Sequence, residues 1–225
     1  MIKVKDLHKT YYNGKNSFDA LKGINFEIKK GETIAIIGKS GSGKSTLMHV
    51  MAGLDNPTSG DVLYDDISLK DMDAKELAKF RNQKIGFVFQ QFFLQPNLNC
   101  RENVVLPLKI RGISKEERKS LADKALEEVE MSDKALNKAT DLSGGQKQRV
   151  SIARAIVGEP DVIFADEPTG NLDSETGKRI IQLLFDLNKK KGITLVVVTH
   201  DIDLANICDK KIFIKDGQNI KEETK

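Results

Sequence analysis

Gly38-Lys39-Ser40-Gly41-Ser42-Gly43-Lys44-Ser45-Thr46 constrains this chain more than any other stretch. It fits the pattern G-x-x-x-x-G-K-[ST], the phosphate-binding P-loop. Thr33-Ile34-Ala35-Ile36-Ile37 precedes it, a short β-branched apolar run that reads as a buried strand. Leu47, Met48, Val50, Met51 and Ala52 follow, an apolar set for a helix stopping at Gly53. The loop therefore lies between strand and helix, which is the context the motif needs. Glycines let backbone N–H groups turn inward around phosphate oxygens, and the helix N-terminus adds positive potential. Lys44 is expected to reach the β- and γ-phosphates, and Ser45 to ligate Mg²⁺ through its hydroxyl.

The chain has 225 residues, of which 39% are apolar, enough for one large domain or a core with a subdomain. No run of 18 apolar residues occurs, so no membrane span is expected. Residues 1–6 alternate apolar and charged types, and no signal peptide is expected there. Cys100 and Cys208 are far apart, and His8, His49 and His200 are scattered, which argues against zinc and for reduced thiols. Net charge is +3, from 36 basic and 33 acidic residues, and gives no electrostatic case for nucleic acid.

Along the chain, Ile2, Val4 and Leu7, expected to point one way, and Ile24, Phe26 and Ile28 at period two predict two strands, with Tyr11-Tyr12-Asn13-Gly14 as the loop between them. Residues 61–69 predict a further strand or hairpin, 74–82 a short helix, and Ile85–Phe89 a buried strand. From about 92 to 158 the pattern turns helical. Ser114 with Glu117, and Ser143 with Gln146, read as capping boxes. Leu121, Ala122, Ala125, Leu126 and Val129 form a narrow apolar stripe. Val162-Ile163-Phe164-Ala165 and Leu195-Val196-Val197-Val198 are buried strands flanking a helix over 174–191, with Ile180, Ile181, Leu184 and Leu187 inward. Residues 221–225 are charged and expected to fray. Continuous apolar strands alternating with helices predict an α/β fold with a mostly parallel sheet, an antiparallel β patch and an inserted helical region.

Ligands of open α/β sheets bind beyond the carboxyl ends of the strands. Those ends carry Gly38, Gln90, Asp166-Glu167 and His200. Asp166 follows four apolar residues and suits the acidic strand end that holds Mg²⁺; Glu167 is placed to orient or deprotonate water. Gln90 is a candidate for Mg²⁺ or the attacking water, or a loop hydrogen-bonder. His200 is a candidate γ-phosphate contact, or structural. The case rests on their convergence. Ser143-Gly144-Gly145-Gln146 puts a hydroxyl and two bare backbone positions on a helix N-terminus, a second anion site. A capped helix alone does not call for two glycines, which weaken the first turn. Two anion sites with one P-loop suggest that this loop completes a neighbouring subunit's nucleotide.

These motifs, in this order, make the whole chain resemble an ATP-binding cassette (ABC) ATPase subunit. GKSGSGKST (38–46) resembles its Walker A, Gln90 its Q-loop, LSGGQKQR (142–149) its signature, VIFADEP (162–168) its Walker B, GNLD (170–173) its D-loop and His200 its switch histidine. The resemblance implies one nucleotide-binding domain over 1–225. It also implies a head-to-tail dimer in which Walker A of one copy and the Ser143–Gln146 loop of the other enclose each ATP. Tyr11 matches the aromatic that stacks on adenine, with Tyr12 as the alternative. GFVFQQFFLQPNL (86–98), ENVVLPL (102–108) and DEPTGNLD (166–173) look most like the lipoprotein-release, macrolide-export, cell-division and antimicrobial-peptide-resistance ATPases. Lys39, Phe93 and Lys147 depart from the proline, asparagine and glutamine frequent in relatives, and none removes a chemical group. A separate integral membrane subunit is implied, docking near residues 90–112, with Phe92, Phe93 and Leu94 as anchors or core. The location implied is cytoplasmic, peripheral on the inner face of the membrane. The rival classes are a regulatory or scaffold ATPase and an ABC protein acting on nucleic acid. Relatives of the latter kind carry a coiled-coil insertion or two cassettes, and neither is present here.

Overall fold

Every residue of Thr33–Ile37 and of Thr194–Thr199 is buried, as expected of parallel strands covered on both faces. The structure, a computed structural model, describes residues 1–14 and 16–225. It divides into two compact units, Met1–Arg81 with Thr194–Lys225, and Asn82–Ile193.

The first unit holds β1 (Ile2–Asn13), β2 (Asn16–Ile28), β3 (Thr33–Ile37), α1 (Lys44–Met51), β4 (Ser59–Tyr64), β5 (Ile67–Ser68) and most of α2 (Ala74–Lys84). An antiparallel sheet runs β2-β1-β4-β5. Ile2, Val4 and Leu7 are all buried although their spacing breaks period two. A register shift between Val4 and Leu7, with Asp6 at φ 43°, resets the parity and returns Leu7 to the inner face. The expected loop at Tyr11–Gly14 is not a loop up to Asn13. Tyr11 pairs with Phe18 and Tyr12 with Ser17, so both tyrosines stand on a strand and face opposite sides.

Three elements of the next stretch belong to the second unit and set its labels: β6 (Ile85–Phe89), α3 (Cys100–Val104) and α4 (Leu106–Ile110). They are followed by α5 (Lys115–Glu128), α6 (Gly144–Ile156), β7 (Val162–Asp166) and α7 (Ser174–Lys191). The chain then returns to the first unit with β8 (Thr194–Thr199), α8 (Ile202–Ile207), β9 (Lys210–Lys215) and β10 (Gln218–Thr224). There β3 lies parallel to both β8 and β9. Residues 221–225, expected to fray, are ordered instead. β10 pairs antiparallel with β9, Glu223 bonds Lys211 at 2.8 Å and also meets Lys221, and the Lys225 N–H reaches the Asp209 carbonyl at 2.9 Å. Opposite charges along the two strands supply what apolar burial does not.

In the second unit β6 and β7 run parallel, and the helices α3 to α6 form the insert between them. Ala122, Ala125, Leu126 and Val129 are buried, as their spacing indicates. The Ser143–Gln146 capping box is complete. At Ser114 only one arm forms, from the Glu117 N–H to the serine hydroxyl, whereas an unanticipated full box, Asn99 with Glu102, opens α3. On α7 Phe185 and Asn188 are buried, and Ile181 is only half-buried. Asn188 takes its place by donating to the Ile193 carbonyl at 2.6 Å. The fold class is the one expected: α/β, with mostly parallel core strands, an antiparallel sheet and a helical insert. Among the described residues no helix is long and apolar enough to cross a membrane.

Candidate functional site

Gly38 and His200 leave adjacent strand ends. β3 and β8 are in register, with Ile37 opposite Thr199, so the loop at 38–43 and the exposed His200 emerge side by side from the first unit. Between β3 and α1 the chain turns tightly. Gly43, the N-cap of α1, sits at φ 105°, and a Cβ there would stand 2.5 Å from the Ala20 carbonyl, so only glycine closes this turn. Leu47, Met48, Val50 and Met51 bury one face of α1 and fix its N-terminus against the strands; each such side chain contributes roughly 1.5–3 kcal/mol.

The side chains of the loop divide by role. Lys44 is nearly buried, and its ammonium donates to the Gly38 and Lys39 carbonyls at 2.8 and 2.9 Å, so the charge is held inside the loop. Ser40, Gly41 and Ser45 are exposed, and Thr46 is half-buried. Ser42 is buried, and its hydroxyl has no hydrogen-bond partner. An orphaned hydroxyl costs about 1–3 kcal/mol, so such a group calls for an explanation. A bound phosphate oxygen supplies one. A cradle closed by a left-handed glycine, lined by an orphaned hydroxyl and carrying an internal ammonium fits a polyphosphate.

Tyr11 is tied to the segment after α1. Its hydroxyl donates to Asp55 at 2.8 Å, and the Lys9 ammonium lies 4.8 Å from its ring centre. Burial pushes the Tyr11 phenol up, and Asp55 adds to this. Burial also pushes Asp55 up, but hydrogen bonds from Lys9 and Tyr11 outweigh it and hold the carboxyl below its ordinary range. Tyr11 is 41% exposed and tethered, whereas Tyr12 is 73% exposed.

The second unit brings Gln90, Asp166 and Glu167 together. Phe89 is opposite Asp166 in the β6–β7 register, so Gln90 and Glu167 leave neighbouring strand ends. Asp166 and Glu167 are half-buried, and Gln90 is exposed. Glu167 has φ 45°, a conformation rare for a residue with a side chain. Asn171 donates to the Gln90 carbonyl at 2.9 Å, and Gln90 donates back to Asn171 at 3.4 Å. Asn171 stands in a stretch already marked by motif, but nothing in its own type or spacing signals this pairing. The Ser143–Gln146 turn presents an exposed Ser143. Its glycines have a packing reason that the sequence does not reveal: a Cβ on Gly145 would stand 2.5 Å from the Thr176 methyl.

For Mg²⁺ the donor chemistry fits. Ser45 offers a hydroxyl, Asp166 a carboxylate and Gln90 an amide oxygen, all hard donors, and Mg²⁺ takes few protein ligands beside phosphate and water. Ser45 belongs to the first unit, Gln90 and Asp166 to the second.

Comparison with known proteins gives the family. The family model for ABC transporters matches residues 21–170. The ABC transporter ATP-binding protein MJ0796 of Methanocaldococcus jannaschii is 51% identical, over 99% of this chain and 97% of that protein. The lipoprotein-releasing system ATP-binding protein LolD of Syntrophus aciditrophicus is 44% identical, over 97% of this chain and 98% of its own length. The dimeric structure of a post-hydrolysis state of the cassette MJ0796, bound to ADP and Pi, superposes with a TM-score of 0.91 at 48% identity, covering 100% of this chain and 98% of that one.

Proposed function

The chain belongs to the ABC transporter ATPase family, and on that premise we propose how its residues divide the work of driving a membrane complex. It binds ATP and hydrolyses it to ADP and phosphate, working as a dimer of cassettes. One observation carries the residue assignments. The loop at 38–46 encloses an orphaned Ser42 hydroxyl and the Lys44 ammonium beside the His200 strand end.

The backbone of Gly38 to Thr46, with Ser40 and Ser42, cradles the phosphates, and Lys44 turns from the loop carbonyls to the β- and γ-oxygens. Adenine stacks on Tyr11, whose tether to Asp55 fixes the ring. Ser45, Gln90 and Asp166 hold Mg²⁺, which when bound neutralises phosphate charge. Glu167 orients a water and takes its proton as the oxygen attacks the γ-phosphorus; the bond to the β–γ bridging oxygen breaks, releasing ADP. His200 donates to the γ-phosphate. Ser143, Gly144, Gly145 and Gln146 close over the nucleotide held by the second copy.

A separate integral membrane subunit docks near residues 90–112, which supports a peripheral location on the cytoplasmic face. Phe93, 59% exposed, is the apolar anchor that favours this. ATP-driven closure then powers export, release or mechanical signalling by that subunit. The whole of 1–225 acts as one nucleotide-binding domain, with 92–158 as its helical part. Glu167→Gln tests the core of the assignment. It should keep ATP binding, slow turnover several hundredfold or more (about 4 kcal/mol for one key group) and accumulate an ATP-bound dimer in light scattering. Near-normal turnover would remove Glu167 from this role.

A further inference from the structure

The segment leaving β6 is held almost entirely by its own carbonyls. Phe89 O accepts from Gln148 Nε2 at 3.3 Å, Gln90 O from Asn171 Nδ2 at 2.9 Å, Phe92 O from Arg154 Nη2 at 2.8 Å, and Phe93 O from Arg154 Nη1 at 2.6 Å. Two of these three donors sit on α6, the helix that begins at the Ser143 loop. Gln148 Nε2 also reaches the Pro168 carbonyl at 2.6 Å, one residue beyond Glu167.

Both α6 donors are expensive choices for packing alone. Gln148 is fully buried and its Oε1 has no partner, a penalty that an apolar side chain of the same shape would avoid. Arg154 is half-buried and, among the described residues, has no carboxylate partner. Its guanidinium meets only the two carbonyls and the Ser151 hydroxyl at 3.4 Å. Burial pushes its pKa down, and a partly buried cation without an acid is disfavoured unless its donors are fully used. What both residues do achieve is rigid: a planar fork and a planar amide fix the backbone on either side of Gln90, and the amide also fixes the backbone next to Glu167.

We propose that Gln148 and Arg154 are positioning residues that join the Ser143-bearing helix α6 to the segments carrying Gln90 and Glu167, so that these three pieces shift together. The proposal deepens the ATPase assignment above and relies on it for its kinetic consequence. Neither side chain needs to touch nucleotide.

The experiment uses the full chain with Gln148→Met, which keeps shape and removes the amide, and Arg154→Lys, which keeps charge and removes the fork. Hydrogen exchange followed by mass spectrometry reads the joint directly. In either variant, peptides over 88–94 and 143–147 should both exchange at least tenfold faster, while 115–128 stays unchanged. Loosening of only one segment, or of the whole unit, would overturn the joint whether or not the protein hydrolyses ATP. In turnover assays kcat should fall tenfold or more, with KM for ATP within twofold. In a Gln90→Ala background, Arg154→Lys should cost less than a further twofold, because it acts through that segment. Multiplying penalties, or an unchanged kcat in both variants, would refute positioning. An inactive wild type would count against the ATPase assignment and leave the exchange result to decide the joint.

Discussion

Gly145→Ala separates two reasons for a bare backbone in the Ser143–Gln146 turn. The added Cβ would lie 2.5 Å from Thr176 Cγ2 and 3.9 Å from Thr176 Cβ, where ordinary contact begins near 3.4 Å. Thr176 is placed by the Asp173 cap of α7. Its N–H donates to Asp173 at 3.0 Å, and N–H and side chain together hold that carboxyl below its ordinary range. Overpacking of this kind costs about 1–3 kcal/mol. Alanine returns up to about 1 kcal/mol of helix propensity, less in a first turn. A net loss of about 1–2 kcal/mol follows, lowering the urea midpoint by roughly 0.5 M at an m-value near 3 kcal/mol/M. Thr176→Ser removes the offending methyl, keeps the hydroxyl and costs at most about 0.8 kcal/mol by itself. The double variant should therefore be more stable than Gly145→Ala alone, with a favourable coupling of about 1–2 kcal/mol. Additive penalties would refute the steric explanation. ATP-dependent dimerisation of the double variant then decides the rest. If stability returns and dimerisation does not, the backbone must stay bare for the nucleotide as well. If both return, Thr176 is the whole reason.

Ser143→Arg should abolish ATP-dependent dimerisation in light scattering while single-subunit binding of a fluorescent ATP analogue survives; normal hydrolysis would sink the shared-site assignment. Tyr11→Ala should weaken ATP about tenfold, the scale of one lost aromatic stack of ~1–3 kcal/mol, and Tyr12→Ala should stay within twofold in the same titration. Glu223 is held down at about 2 by hydrogen bonds from Lys211 and then Lys221, against an ordinary 4.5. A depressed carboxylate stabilises the fold above its unfolded pKa, so this contribution to the β9–β10 pairing fades as pH falls from about 4.5 to about 2. Protection factors at Thr224 and Lys225, corrected for the intrinsic pH dependence of exchange, should fall through that window, and Glu223→Gln should flatten the response.

What the sequence disclosed was local. The P-loop needs a β-branched strand before it and an apolar helix after it, all within about twenty residues, and β3, the loop and α1 are where that pattern puts them. Gln90, Asp166 and His200 were legible because apolar strands announce their own ends. Apart from the capping residues Asn99 and Ser114 and the half-buried Ile181, the failures are pairings across sequence distance. Tyr11 and Tyr12 read as loop because their strand partners, Phe18 and Ser17, lie beyond a turn. Residues 221–225 read as frayed because their stabilising charges sit on β9. Gln148 and Arg154 look like ordinary polar helix residues. The one available hint is that Gln148 shares a buried face with Ser151, Ile152 and Ala155, an amide among small and apolar side chains.

Two of the described non-glycine residues at positive φ lie on the same segments. Glu167 and Phe93, shortly after the exits of β7 and β6, hold φ 45° and 46°. Such conformations cost on the order of 1 kcal/mol or more for a residue with a side chain, and they persist only where the surroundings over-determine them. Here they are: the Glu167 carbonyl accepts the Gly170 N–H at 3.0 Å, the next carbonyl accepts Gln148, and the Phe93 carbonyl accepts Arg154. Glycine or asparagine would meet the same backbone demand at lower cost. The side chains kept at these two positions must therefore repay it. Glu167 does so with the carboxylate assigned to the attacking water. Phe93 packs edge-on against Phe89, with ring centres 5.2 Å apart, yet remains 59% exposed. Internal packing thus accounts for one edge of the ring, and the remaining apolar face, on a backbone tied by Arg154, is the part available to the membrane subunit proposed above.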